Sequence, residues 1–152
     1  MTLEEEIKQT KFRSQTQKAI INILFTAGWI GIDHHRFFKK YEISSQQFNI
    51  MRILRGQNGN PASMGLLQER MLDRMSNASR LVEKLKQKGL VDRRECKIDR
   101  RQVEVFITKK GLDLLEEIGP RLDDDPIETI SEEEARTLNS LLDKLRGKQL
   151  KQ

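Results

Sequence analysis

Five cationic side chains, Arg93, Arg94, Lys97, Arg100 and Arg101, fall within nine residues of the stretch 92-DRRECKIDRRQVEVFIT-108. A guanidinium is a planar fork of N–H donors that matches the oxygens of a phosphate, and an ammonium is a compact point charge. The chemistry on offer is therefore the binding of a polyanion. From Val103 the sequence alternates through Val105 and Ile107, the period of a half-buried strand. The cations thus crowd the tip of a short hairpin, a shape that can reach the minor groove of DNA, where the potential is most negative. Asp99 sits beside Arg100 and Arg101. A carboxylate there can pair with one arginine, fix its direction and leave the other for DNA; spacing does not decide which.

A second constellation opens 76-SNASRLVEKLKQK-88. Ala78, Leu81, Val82 and Leu85 recur at i, i+3, i+4 and i+7, one apolar face of a helix. Ser76, Asn77, Ser79 and Arg80 gather at its start and on the other side. Short polar residues let a helix axis approach base edges in a major groove. Asn can pair with adenine, Arg with guanine, and Ser with bases or phosphate. The free N–H groups of the helix start also suit phosphate. Lys84 and Lys88 lie further along as phosphate candidates.

Other reactive residue types are sparse. His34 and His35 are neighbours on a helix, about 100° apart, which makes a poor metal pair. Packing is the expected role, with Trp29, His34 and Phe38 as the candidate ligand cleft. Cys96 is the single cysteine. It excludes an intrachain disulfide and a cysteine metal cluster, and it points to a reducing compartment. Arg94 and Lys97 could lower its pKa, but a sensor role is not expected. Asp123, Asp124 and Asp125 beside Pro126 read as a linker or helix boundary. No nucleophile–base pair, glycine-rich phosphate loop or purposeful carboxylate pair is visible. The reading is a non-enzyme without cofactor or metal.

The elements that must hold these groups can be traced along the chain. Residues 4–40 read as one long helix, with Glu4, Glu5 and Glu6 at its start. Its second half is apolar nearly all round, through Ile20, Ile21, Leu24, Trp29 and Ile32, which suggests a subunit interface. Ser44 and Gln47 form a capping box for a helix over 45–56, which 56-GQNGNP-61 stops. Ser63 caps a short helix carrying Met64, Leu67 and Met71. Ser76 starts the next, and Gly89 ends it in a left-handed conformation. Strands follow at 90–94 and 102–107. Thr108 caps a helix, Pro120 and Pro126 punctuate, and Ser131 with Glu134 caps a final amphipathic helix.

The chain is 152 residues long, enough for one domain with an accessory element. Hydrophobic residues make up only 36% while 34% are charged, which fits a helical protein that completes its core by oligomerising. Cations outnumber anions nine to five over 1–63 and thirteen to seven over 64–110, but are outnumbered six to eleven over 111–152. A basic module with an acidic tail is a footprint of nucleic-acid binding. The start is polar, and the longest apolar run, 19–32, is too short to span a bilayer. A cytoplasmic protein is expected.

Helix, short helix, turn, helix and hairpin is the order of a winged helix-turn-helix. The expected class is mainly α with a small two- or three-stranded β wing. At this point 76-SNASRLVEKLKQKGLVDR-93 followed by 99-DRRQVEVFITKKG-111 resembles the multiple-antibiotic-resistance regulator (MarR) family, over residues 44–120. There a helix of the form S-x-x-[ST]-R-L-V-x-x-L reads DNA, and an Asp-Arg-Arg signature marks the wing. The resemblance implies a DNA-binding domain over 44–111 and a helical dimerisation region from both termini, 1–43 and 112–152. It also implies a homodimeric transcriptional repressor on a pseudo-palindromic operator, and release by a small aromatic effector. The DNA contacts expected are Ser76, Asn77, Ser79, Arg80, Lys84, Arg94, Lys97, Arg100 and Arg101. A second reading stays open beside it: a winged helix whose basic face binds an acidic protein.

Overall fold

The computed structural model describes residues 1–96, 102–123 and 130–147. Contacts divide the chain into two units, Met1–Leu115 and Glu116–Gln152. The first contains α1 (Leu3–Ile7), α2 (Gln15–Lys39), α3 (Ser45–Arg55), β1 (Ala62–Ser63), α4 (Met64–Arg70), α5 (Ala78–Gln87), β2 (Val91–Glu95) and β3 (Val103–Ile107). Helix α6 (Lys109–Asp123) crosses the division, and α7 (Glu132–Gly147) lies in the second unit. This is the winged helix-turn-helix, with α4 and α5 as its two helices and β2–β3 as its wing.

Helix α3 is the centre of the first unit. Ile50, Met51 and Leu54 are buried on one side of it, at the spacing that a helix needs to aim them together. It packs against α5, β3, α4 and α2. Ala78, Val82 and Leu85 of α5 are buried, as are Leu67 of α4, Phe38 of α2, and Val91 and Val105 of the sheet. The sheet is antiparallel in the order β1-β3-β2, with Val105 facing both Ala62 and Arg93 in register. The Cys96 amide donates to the Gln102 carbonyl at 2.9 Å. This bond continues the β2–β3 pairing by one residue beyond Glu95 and Val103.

Several boundaries differ from the sequence reading. The helix expected over 4–40 is broken. Thr2 and Glu5 form a capping box for α1, and Lys8 ends it at φ 53°. Ser14 then restarts the helix by accepting from the Gln17 amide, while Gln17 accepts from the Arg13 amide at 2.7 Å. A Glu4–Lys18 ion pair ties α1 to α2. Helix α5 starts after Asn77, which is its N-cap in place of Ser76. Pro120 lies inside α6 and does not end it. Its missing N–H costs one bond near the helix end, where few further bonds depend on it. Pro126 and the run 124–125 lie outside the described residues, and α6 ends at Asp123. The capping boxes at Ser44–Gln47 and Ser131–Glu134 are present, and Gly89 has φ 70°.

The junction of α5 with α6 is tightly built. The Thr108 amide donates to the Leu90 carbonyl at 3.1 Å, its hydroxyl donates to the Gly89 carbonyl at 2.7 Å, and Lys110 donates to the Lys88 carbonyl at 2.8 Å. A Cβ on Gly111 would lie 2.7 Å from Ile107 Cγ1 and closer still to the Leu90 carbonyl oxygen. Backbone cannot step aside as a side chain can. Gly111→Ala should therefore destabilise the protein by about 1–3 kcal/mol. Gly65→Ala in α4 meets only Ser63 Oγ at 3.9 Å and should be neutral or gain up to about 1 kcal/mol. Urea unfolding of the two variants checks the contrast; equal midpoints would contradict it.

Candidate nucleic-acid interface

The turn between α4 and α5 is held by side chains from three directions. Gln68 of α4 donates through Nε2 to the Ser76 carbonyl at 2.9 Å and accepts the Ala78 amide on Oε1 at 3.1 Å. Asn49 of α3 accepts the Leu72 amide at 2.9 Å. Asp73 accepts the Met75 amide at 3.0 Å and the Ser76 hydroxyl at 2.8 Å, an Asx turn in which the side chain stands in for a backbone carbonyl. The Ser76 hydroxyl and then the Met75 amide hold the Asp73 carboxyl below its ordinary pKa.

On this frame the outer face of α5 is exposed. Ser79, Arg80 and Lys84 are all accessible. Asn77 uses its side-chain oxygen to accept the Arg80 amide at 2.9 Å, which leaves its amide N–H groups as donors. Ser76 is half-buried and engaged by Asp73 and Gln68, so its first duty is to shape the turn. Lys88 donates to the Glu42 carbonyl, tying the end of α5 to the chain between α2 and α3.

The wing is joined to α5 directly. Arg93 of β2 pairs with Glu83 of α5 at 3.0 Å. Arg94 pairs with Glu104 across the sheet at 2.8 Å and lies over the Phe106 ring, 5.8 Å from its centroid. Its guanidinium is thus already oriented, and its charge is shared. Lys97, Asp99, Arg100 and Arg101 lie outside the described residues.

Of the candidate ligand-cleft residues, His34 and Phe38 are in ring contact, while Trp29 lines a cleft that neither of them borders. Trp29 is exposed and lines a cleft of about 250 Å³ with Met1, Leu3, Asn22 and Phe25. Phe38 is fully buried, with its ring 4.7 Å from Phe48 and 6.0 Å from His34. Among the described residues no group of three or more His, Cys, Asp or Glu is placed to hold a metal, and no helix is long and apolar enough to cross a membrane.

Sequence reasoning missed Gln68, Asn49, Asp73 and the Glu83–Arg93 pair. Asp73 was within reach, since Asp followed three residues later by Ser is a turn signal. Gln68 was not, because a polar residue on a short helix gives no sign of what it meets across the fold.

Residues 43–103 match the model of the MarR family. No curated protein sequence is significantly similar to the chain. Among solved structures, a MarR transcription factor from Planctomyces limnophilus shares 28% identity over 88% of this chain and 98% of its own, with a TM-score of 0.64. Sco3205, a MarR family transcriptional regulator from Streptomyces coelicolor solved in complex with DNA, shares 16% over 94% and 92%, at 0.74. The organohalide-sensing regulator RdhR-CbdbA1625, in its 2,4-dichlorophenol-bound form, shares 21% over 91% and 86%, at 0.76. All three are transcription factors or regulators.

Two outcomes test the frame. Gln68→Ala should cost about 1–2 kcal/mol of stability, since it strips one partner from two turn groups. Asp73 stabilises the turn as a carboxylate. Its contribution is complete above the pKa of an unfolded aspartate, about 3.9, and drains away as pH falls through the lower folded value. The Met75 amide resonance should therefore titrate with a midpoint below that of a free aspartate. A midpoint at or above it would contradict the Asx turn.

Proposed function

We propose that this chain, whose residues 43–103 match the MarR family, is a homodimeric DNA-binding transcription regulator that represses by occupying a pseudo-palindromic operator. Residues 44–111 form the DNA-binding domain, and 1–43 with 112–152 form the dimerisation region. One observation carries the reading. Helix α5 has a buried inner face and a start clamped by Gln68 and Asp73, while Ser79, Arg80 and Lys84 stand exposed on its outer side. That is the arrangement needed to carry short polar and cationic groups into a major groove. Asn77 and Arg80 are the base readers, and Lys84 with Ser76 and Ser79 serves the backbone. The wing follows, with Arg94 near the turn end of β2 and Lys97, Arg100 and Arg101 serving the minor groove, Asp99 steering one arginine.

Dimerisation is supported by apolar side chains left in solvent. Leu24, Trp29 and Ile32 of α2 are 68%, 53% and 55% exposed. No side chain of α7 is buried, although Leu138, Leu141 and Leu145 form a stripe along it. Each such residue is worth about 1.5–3 kcal/mol once covered, so a second copy has much to gain by covering them. A small aromatic effector is proposed by analogy with the regulator that holds 2,4-dichlorophenol. Trp29 and His34, on α2, are the residues proposed to face it.

The salt dependence of binding to a random-sequence duplex tests the cationic contacts. Arg100→Ala and Arg101→Ala should each reduce the slope of log K against log salt by about one. Arg80→Ala should cost about 1–3 kcal/mol on a preferred sequence and less on a random one. A double wing variant with an unchanged slope would remove the wing, and an equal Arg80 loss on both duplexes would make it a phosphate clamp. For the dimer, Leu24→Glu or Leu141→Glu should shift sedimentation from two chains to one. A wild-type chain that sediments as a monomer at micromolar concentration would overturn that part.

A further inference from the structure

Met75 is 93% exposed. It precedes the N-cap of α5 by two residues, at the end that points toward DNA in the function proposed above, on which this inference rests. A long apolar side chain in that position contributes almost nothing to the fold. Yet it is not on a loose loop. Its own amide is held by Asp73, and the Ser76 carbonyl after it is held by Gln68. The backbone that carries it is fixed on both sides.

Its surroundings name the occupant. Arg70, Arg74 and Arg80 flank it in sequence and are exposed, and the one acid among them, Asp73, is spent on the turn. An apolar tip flanked along the chain by exposed cations is complementary to a surface with an apolar centre and an anionic rim. The major groove of DNA is such a surface at a thymine, whose C5-methyl lies between two phosphate backbones. Methionine is unbranched and polarisable, so it adapts to a contact whose distance is set by the helix beside it.

We propose that Met75 reads thymine through the C5-methyl group, adding an apolar term to the polar reading by Asn77 and Arg80. Leu72 is also exposed, at 82%, but its amide is held by Asn49 and it borders a shallow cleft with Arg52, Ile53 and Arg55 of α3. It serves as the internal control: equally apolar, three residues away, and on the α3 side of the turn.

The test uses the full chain and the duplex it enriches from a random pool, with each thymine replaced in turn by uracil, which lacks only the methyl. One thymine per half-site should matter. Its replacement should weaken wild-type binding about fourfold, the value of one buried methyl-sized group. Met75→Ala should bind the thymine and uracil duplexes alike, and Leu72→Ala should keep the full discrimination. The inference is overturned if no uracil substitution weakens binding, or if the loss persists in Met75→Ala. It is overturned too if Leu72→Ala abolishes the discrimination, or if Met75→Ala binds this duplex normally but loses an acidic protein partner. If no duplex is enriched at all, the DNA-binding reading fails first and takes this with it.

Discussion

The apolar contact of α5 with α3 is the constraint on which the exposed face of the molecule depends. Ala78, Val82 and Leu85 are buried against a wall that includes Ile50, Met51 and Leu54. Removing one large side chain of this kind typically costs about 2–5 kcal/mol, a sizeable share of a domain's total stability. A rotation of α5 about its axis would pull these residues into water. The rotation is therefore fixed, and with it the direction of Ser79, Arg80 and Lys84. Hydrogen bonds then settle what packing leaves open. Gln68 fixes where α5 begins, and Asp73 fixes the path by which the chain enters it.

The same logic extends to both ends of the helix. Lys88 reaches back to the Glu42 carbonyl, and Arg93 of the wing reaches Glu83. Surface pairs of this kind add little stability. Their value is geometric: they hold α5 to the wing and to the turn between α2 and α3.

Much of this was legible in the sequence because it is written in local patterns. The face of α5, the alternation of Val103, Val105 and Ile107, the capping box at Ser44 and the left-handed Gly89 each depend on a few neighbouring residues. The break after Ile7 was hidden because residues 8–13, polar apart from Phe12, are all tolerable in a helix, so only the caps at Lys8 and Ser14 reveal it. Pro120 misled for the opposite reason, since a residue that breaks a helix centre does less harm near its end. Strand β1 has only two residues, too few for any periodicity. Gln68 and Asn49 act across the fold, where sequence spacing carries no information. The dual use of Asn77, with its oxygen capping and its amide left to donate, needed the observed start of α5.

The central claim is that two copies of α5, held by one dimer, read DNA sequence. Selection from a random duplex pool with the purified chain tests it most directly. An enriched inverted repeat is expected, with half-site centres about 34–36 Å apart, one turn of the double helix. Enrichment of no sequence, or of a single unrepeated site, would contradict it.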